Sequence, residues 1–481
     1  MQKKPVYITT TLPYVNAKPH VGFAMEIVRA DALARFYAMV GHSVFFNTGT
    51  DEHGQKIYQK AQELGIDTQA YVDELAESFK GLVPLLNLSD DIHFIRTTDK
   101  HHKQAAQEMW KRCFDNGYIY KKTFSGDYCV GCELFIPEKD QVDGCCPIHK
   151  KPLDQVSEEN YFFKFSAFTD QLDKIYQNQN DFVTPGFRFN EIKAFVDRGL
   201  EDFSISRLKT KMPWGVPVPG DDDHVMYVWF DALTNYISTL GWPDEDGDFA
   251  TFWRDGITIQ YAGKDNLRQQ SAMWQAMLLA AGISMTDHIV INGFINSGGQ
   301  KMSKSLGNVI SPYDIVETYG SDALRYYLLR HLSSFEDSDM TMDKFHESYT
   351  AHLVNGVGNL TNRVLKMAER ALPDGYTPAP VAVNEQWQKH FQDFDIQKAT
   401  ELVWKKVGEL DAYITEHEPF KVVKEDPEKA AGMLRHLVDG LSWIAYHLKP
   451  LLPETAKRMD EAITALQKPE APLFGRVERE T

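Results

Sequence analysis

The chain has 481 residues, of which 43% are hydrophobic and 25% charged. This composition is typical of a globular protein, and at about 150 residues per domain the length predicts roughly three domains. No apolar run of about 18 residues is present and no secretory signal is visible, so we expect a cytoplasmic protein without a membrane span. The net charge of −17 argues against non-specific coating of nucleic acid but leaves room for RNA on a local basic face.

The first 60 residues have the pattern of a mononucleotide-binding half. Residues 5–10 predict a buried strand, a helix is expected to begin near Gly22, and residues 41–47 predict the next strand. Strand, helix and strand at this spacing favour an α/β fold with a doubly wound, Rossmann-like parallel sheet. Ligands of such sheets bind at the carboxyl ends of the strands, where the polar run 48–54 falls.

The predicted secondary structure changes twice along the rest of the chain. Residues 67–113 predict helices, whereas residues 116–200 contain short aromatic and β-rich pieces that indicate an insertion into the sheet. The strand pattern resumes at the segments 225–230, 257–262 and 288–294. From about residue 346 onward the pattern is almost wholly helical, which predicts a C-terminal helical bundle.

Two motifs suit a nucleotide. The first places His20 and Gly22 at a loop-to-helix junction, where free amides and the helix dipole favour an anion. Read alone, a His and a Gly near a helix start are more often a cap and a turn. The second is Gly-Gly-Gln-Lys-Met-Ser-Lys-Ser at 298–305, which lacks P-loop spacing. Lys301 and Lys304 could bring positive charge onto leaving phosphates, or they could belong to a solvated turn.

A third motif predicts a metal. Cys129 and Cys132 form one pair with two residues between them, and Cys146 and His149 form another. Three thiolates and one imidazole are a closed tetrahedral set, which is typical of one structural zinc ion. Cys145 would break the two-residue spacing, so Cys146 is the expected ligand.

With these motifs in view, the chain resembles the class I aminoacyl-tRNA synthetases and, among them, the methionyl-tRNA synthetase family. The resemblance covers essentially the whole length. It rests on segments 11–14, 20–22, 50–54, 228–232, 263–265, 301–305 and 359–363 and on the cysteine cluster.

The resemblance implies an ATP-dependent ligase. L-methionine would be activated to methionyl-adenylate and then transferred to the 3′ end of a tRNA with a CAU anticodon, with Mg²⁺ accompanying ATP and zinc in a structural role. It also implies five segments: a first catalytic half (1–115), a connective domain with the zinc knuckle (116–205), a second catalytic half (206–295), a lysine-loop and stem-contact region (296–350) and a helical anticodon-binding domain (351–481).

The resemblance assigns site residues in three groups. ATP would be contacted by His20, Gly22, Asp265, Lys301 and Lys304, with His20, Gly22 and the two lysines forming the catalytic set. Asp51 would bind the α-ammonium group of methionine, whose side chain would lie among Leu12, Tyr14, Trp229, Ala232, Tyr236 and Gln270. The anticodon would be read by Asn359, Arg363 and Phe420.

The sequence departs from the family pattern at three positions. Phe23 and Gln270 each stand where the family has His, and Phe420 stands where the family usually has Trp. Phe23 cannot donate a hydrogen bond to a phosphate, whereas Gln270 retains a polar group. Our hypothesis is an altered branch that still adenylates, with charge supplied by Arg268 and the two loop lysines.

Two alternatives stay open. One is a related class I ligase with altered amino-acid or acceptor specificity, and the other is a non-catalytic paralogue that binds RNA or an amino acid. The intact Asp51, Lys301 and Lys304 favour an enzyme. The sequence ends at Thr481 without an appended oligonucleotide-binding domain, which favours a monomer.

Overall fold

The chain forms two compact units. The computed structural model describes residues 3–132, 134–136, 138–302, 307–372 and 375–478. The first unit comprises residues 1–18, 42–81 and 91–291, and the second comprises residues 19–41, 82–90 and 292–481.

The strands come first. They are β1 (Val6–Thr9), β2 (Val44–Thr50), β3 (His93–Arg96), β4 (Ile119–Cys129), β5 (Leu134–Phe135), β6 (Asp154–Phe163), β7 (Val183–Thr184), β8 (Phe203–Ser204), β9 (Ser206–Leu208), β10 (Pro217–Val218), β11 (Asp221–Met226), β12 (Ile257–Gly263), β13 (His288–Asn292), β14 (Ile295–Ser297), β15 (Gln300–Lys301) and β16 (Ser338–Asp339).

The α-helices and the shorter helical turns complete the elements. The helices are α1 (Val21–Met39), α2 (Gln55–Leu64), α3 (Thr68–Lys80), α4 (Leu82–Leu85), α5 (Lys100–Asp115), α6 (Thr169–Asn178), α7 (Gly186–Asp197), α8 (Val228–Ala232), α9 (Asn235–Ser238), α10 (Trp274–Ala280), α11 (Pro312–Tyr319), α12 (Ser321–Arg330), α13 (Met342–Ser348), α14 (Asn359–Ala371), α15 (Glu385–Gln392), α16 (Ile396–His417), α17 (Pro419–Glu425), α18 (Pro427–Leu448) and α19 (Pro453–Ala465). Among the other turns, Lys264–Asn266 is 3-10 helical, and Gln269–Met273 and Tyr349–Gly358 are π-helical.

A parallel sheet forms the centre of the first unit. Its strand order is β3-β2-β1-β12-β13-β7, and the pairs β3–β2, β2–β1, β1–β12 and β13–β7 are parallel. All four residues of β1 are buried, which is expected of a strand with neighbours on both sides in a covered parallel sheet. The predicted Rossmann-like fold class is confirmed.

The structure differs from the sequence prediction in four places. β2 runs to Thr50, three residues past the predicted end, so the polar run begins inside the strand. β3 lies within the stretch 67–113 that was predicted wholly helical. The prediction of a strand of the parallel sheet at 225–230 is wrong, because Val225 and Met226 end an antiparallel strand and α8 follows. β7, from the predicted insertion, pairs with β13 and extends the main sheet.

The insertion is built on an antiparallel pair. β4 and β6 pair in register from Ile119 opposite Phe163 to Tyr128 opposite Asp154. β5 and β8 complete a four-stranded sheet of order β5-β4-β6-β8. Cys129 of the cysteine cluster ends β4, and Cys132, Cys146 and His149 lie on the chain between β4 and β6. Cys113, the cysteine outside that cluster, is buried in the hydrophobic core of this unit.

The second unit is mostly helical, as predicted for the C-terminal part. α1 and residues 82–90 belong to it, together with everything after residue 291. A buried ion pair anchors α1, because Arg325 Nη2 lies 2.7 Å from Asp31 Oδ2 and both side chains are inaccessible to solvent. In the part of the chain that the structure describes, no helix combines the length and apolar character needed to cross a bilayer.

Candidate active site

The carboxyl ends of β1, β2 and β12 meet around the segment 11–15. The Val15 N–H donates to the Asp51 carbonyl (3.0 Å), and the Asp51 N–H donates to the Pro13 carbonyl (3.0 Å). On the other side, the Thr11 N–H donates to the Tyr261 carbonyl (3.1 Å). The predicted site residues Leu12 and Tyr14 therefore lie between the ends of β2 and β12.

Asp51 is the acid at this edge. It is 6% exposed, and it pairs as an isolated parallel bridge with Tyr14. A carboxylate with so little solvent around it gains more from an opposite charge than an exposed one does, because the local dielectric is low. A bound ammonium group is such a charge.

Two short helices carry the aromatic residues Trp229 and Tyr236, which we call the aromatic wall. α8 carries Trp229 and Ala232, and α9 carries Tyr236, which is 1% exposed. The Tyr236 ring centroid lies 5.7 Å from that of Trp274. Trp229 is partly buried against the same aromatic core.

Gln270 is joined to this wall. It lies in the π-helical turn after β12, and its Nε2 donates to the Tyr236 hydroxyl (2.6 Å). The amide therefore contacts Tyr236, whereas its predicted polar contact with the methionine side chain stays a prediction. Asp265, by contrast, is exposed in the 3-10 turn that directly follows β12.

In the second unit, His20 caps α1. The Gly22 N–H donates to His20 Nδ1 (3.0 Å), so in the neutral ring the proton is on Nε2. Burial, reinforced by the positive charge of Lys301, lowers the pKa of His20 to about 4. A Cβ on residue 22 would lie 2.7 Å from the His20 ring, so a larger residue there would displace the ring. The Phe23 ring packs on His20, with centroids 4.5 Å apart.

Lys301 stands at the end of a tight β-hairpin. It pairs with Asn296 across β14 and β15, and its Nζ lies 5.1 Å from the Phe294 ring centroid. The turn uses Gly298 and Gly299, whose φ angles are +62° and +75°, a region that strains other residues. Lys304 lies outside the described residues. In this structure Lys301 is therefore close enough for its charge to lower the pKa of His20. The position of Lys304 stays a prediction.

The cysteine cluster can hold a metal ion. One donor atom from each of Cys129, Cys132, Cys146 and His149 lies within 4.8 Å of the others. The His149 Nδ1 is 3.2 Å from the Cys132 sulfur and 3.7 Å from those of Cys129 and Cys146. Donors of a tetrahedral zinc ion with bonds of roughly 2.0–2.3 Å lie about 3.3–3.8 Å apart, so the set fits. Cys145 is not among the donors, as predicted.

The predicted anticodon readers lie on two helices of the second unit. Asn359 is exposed at the start of α14, and Arg363 lies one turn later with Nη1 3.5 Å from Asp411 Oδ1. Phe420 is 45% exposed near the start of α17. An exposed aromatic ring at a helix start can stack on an unpaired base.

Sequence reasoning missed one buried cluster. His53 and His102 both contact the carboxylate of Asp231. No spacing rule could reveal this, because the residues come from three distant parts of the chain. The available signal was that His53 and Asp231 lie inside the motifs 50–54 and 228–232.

Comparison with known proteins shows the family to which the chain belongs. The family model described as tRNA synthetases class I (M) matches residues 6–156 and 149–365, and the anticodon binding domain of methionyl tRNA ligase matches residues 381–472. The parallel sheet and the loops at its carboxyl edge are thus those of a class I tRNA synthetase.

Similarity to individual proteins identifies the family within the class I tRNA synthetases. A methionine–tRNA ligase of Streptomyces coelicolor is 39% identical over 96% of this chain and 90% of its own length, and one of Fusobacterium nucleatum is 38% identical over 96% and 74%. The structure of Mycobacterium tuberculosis methionyl-tRNA synthetase in complex with methionyl-adenylate has a TM-score of 0.90 and 35% identity, covering 98% of this chain and 100% of that one. The chain belongs to the methionyl-tRNA synthetase family.

Proposed function

We propose that this chain is a methionine–tRNA ligase that forms methionyl-adenylate from L-methionine and ATP and then charges a tRNA with a CAU anticodon. The observation that supports this most directly is the buried Asp51 at the carboxyl edge of the parallel sheet, two residues before His53, which contacts Asp231 of the helix that carries Trp229. Relatives named for this activity cover nearly the whole chain.

Asp51 binds the α-ammonium group of methionine in this proposal. The thioether side chain lies against Trp229 and Tyr236, since sulfur packs favourably near the edges of aromatic rings. Gln270 holds the Tyr236 hydroxyl in place. The smaller side chains of Leu12 and Ala232 and the ring of Tyr14 complete the methionine contacts.

Adenylation is an in-line displacement at phosphorus. A carboxylate oxygen of methionine attacks the α-phosphorus of ATP, the new C–O–P bond forms, and the bond to pyrophosphate breaks. The protein contributes position and charge rather than covalent chemistry. The transfer step then moves methionyl from phosphate to a 3′-terminal hydroxyl of the tRNA, and AMP leaves.

The phosphate-handling groups come from the second unit. His20 is neutral near pH 7 and donates from Nε2 to a phosphate oxygen, while Gly22 leaves room for the nucleotide. Lys301 and Lys304 neutralise the leaving pyrophosphate. Asp265 contacts the bound nucleotide, and Mg²⁺ accompanying ATP supplies further neutralisation of the phosphates.

Phe23 removes the second imidazole of the family motif. In this structure its ring packs on His20, so we infer that it orients the remaining imidazole instead of contacting a phosphate. Lys301 and Lys304 then supply the positive charge that a second histidine would place near the phosphates.

Two further sites complete the proposal. A zinc ion held by Cys129, Cys132, Cys146 and His149 is structural, because four protein donors leave no open position. Asn359, Arg363 and Phe420 read the anticodon, with the Phe420 ring stacking on a base. Such stacking contributes about 1–3 kcal/mol per base.

Aminoacylation with a panel of amino acids tests the function. The protein should charge a CAU-anticodon tRNA with methionine and leave an anticodon-swapped control largely uncharged. Charging with another amino acid would favour the related ligase of altered specificity, and binding without charging would favour the non-catalytic paralogue. We also expect a monomer, which light scattering of the same sample measures.

A further inference from the structure

Two motifs at the proposed methionine site each contain a buried polar residue that the mechanism above does not use. They are His53, two residues after Asp51, and Asp231, in α8. His53 Nδ1 lies 2.6 Å from Asp231 Oδ2, and the two side chains are 3% and 0% exposed. This contact joins the loop after β2 directly to the short helix that carries the aromatic wall.

The second oxygen of the same carboxylate reaches two more elements. His102 Nε2, on α5, lies 2.8 Å from Asp231 Oδ1. His102 Nδ1 lies 2.9 Å from the Ser238 hydroxyl, on α9. Burial opposes the charged form of Asp231, but its interactions with His53 and His102 outweigh burial and lower its pKa to about 2. The network is therefore built around a carboxylate anion.

The members of this network alternate with the proposed methionine contacts. Asp231 lies between Trp229 and Ala232 in α8, and Ser238 is two residues after Tyr236 in α9. Any shift of the network would move these contacts relative to one another. Because all the network side chains are buried, water cannot replace a lost hydrogen bond without rearrangement.

We propose that Asp231 is a positioning residue that, through His53 and His102, fixes the distance between Asp51 and the pocket wall. The inference rests on the proposed function, since it assumes that Asp51 binds the α-ammonium group. Its value is geometric: a misplacement of about 1 Å can cost roughly 100-fold in rate or affinity. The carboxylate itself touches no substrate.

Asp231→Asn is the direct test. An amide offers one acceptor oxygen and one donor group, so it cannot accept from both imidazoles. In ATP–pyrophosphate exchange we expect the KM for methionine to rise at least about tenfold, while the KM for ATP changes less than about twofold. An unchanged KM for methionine, or equal rises in both KM values, would overturn the proposal.

Substitutions at His53 separate positioning from packing. In His53→Asn the amide nitrogen lies close to the place of Nδ1 and can still donate to Asp231, whereas His53→Leu fills similar space without a donor. We expect the Asn variant to stay within about threefold of the wild-type KM for methionine and the Leu variant to match Asp231→Asn. Equal loss in both variants would mean that the side chain only fills space. This pair decides the matter if Asp231→Asn does not fold.

A matched control comes from the second unit. Asp322 is also a buried carboxylate, and it accepts a hydrogen bond from the Thr455 N–H (2.7 Å). Asp322→Asn should lower the melting temperature without changing the KM for methionine. Equilibrium dialysis with labelled methionine provides a readout that does not need catalysis. Wild-type protein that binds methionine but shows no exchange would refute the proposed function and leave the positioning role measurable.

Discussion

The proposed methionine pocket and the proposed phosphate-handling region are built in opposite ways. In the pocket, Asp51 and Tyr236 are almost fully buried, and hydrogen bonds fix the surrounding side chains. In the phosphate region, His20 is held by Gly22, but Lys301 is exposed at a hairpin end. Distinguishing one side chain from another needs fixed walls. Neutralising phosphate charge needs cations that reach the phosphates, because Coulomb energy varies slowly with distance.

Removing the loop charges should give the largest effect. Replacing Lys301 and Lys304 together with Ala is expected to lower the exchange rate at least about 100-fold, since one lost transition-state donor already costs about 10²–10³. Methionine binding should be spared. Lys389→Ala, an exposed lysine paired with Asp393, is the control and should be neutral. Loss of methionine binding in the double variant would contradict the separation of the two regions.

Gly22→Ala should disturb the contact that holds His20 in the proposed phosphate region. The added Cβ would lie 2.7 Å from the His20 ring and should displace it, which raises the KM for ATP about tenfold, or about 1.4 kcal/mol. Gly408→Ala, in α16, has open space for its Cβ and should leave both KM values unchanged. A normal KM for ATP in Gly22→Ala would show that His20 is not held as we infer.

Gln270→Leu should weaken the pocket more modestly. The Tyr236 hydroxyl loses its donor, and one buried hydrogen bond contributes about 0.5–1.5 kcal/mol. We expect the KM for methionine to rise about two- to tenfold with the KM for ATP unchanged. Gln270→His, which restores a ring donor, should recover most of the loss. A wild-type KM in the Leu variant would contradict the proposed role of Gln270 in holding Tyr236.

The pH dependence of ATP binding should be flat above pH 5.5. The pKa of His20 is lowered to about 4, so the imidazole stays neutral and its contribution to the KM for ATP should change less than about twofold between pH 8 and 6. In the unfolded chain this imidazole has its ordinary pKa of 6.5. The free energy of unfolding is therefore unaffected by His20 above that pH and falls as the pH decreases towards 4, because the unfolded chain then binds a proton that the folded chain does not. A KM transition near pH 6.5 would contradict the buried, neutral ring.

Removing the metal should change exchange least. The four proposed zinc ligands lie in the antiparallel insertion rather than at the ends of the parallel strands, so Cys146→Ser should lose bound zinc but keep exchange within about threefold. Cys145→Ser should keep one zinc ion per chain. Metal content by elemental analysis checks both. An equal loss of zinc in the two variants would contradict the ligand assignment.

Much of the fold and site could be predicted because it depends on local patterns. Strand and helix periodicity located β1, α1 and β12, and the two-residue spacing within the pairs Cys129–Cys132 and Cys146–His149 located all four donors of the metal cluster. The antiparallel β11 and the strand β7 at the edge of the main sheet were not predictable, since pairing partners decide both. The Asp231 network was missed for the same reason: buried hydrogen bonds between distant segments leave no periodic signal.

Methionine-dependent ATP–pyrophosphate exchange tests the central claim most directly. The wild-type, zinc-loaded protein should exchange with L-methionine at least about 100-fold faster than with L-leucine, and Asp51→Asn should abolish the methionine-dependent rate. A folded, metal-loaded protein that shows no exchange with methionine, or exchanges equally with leucine, would contradict the account.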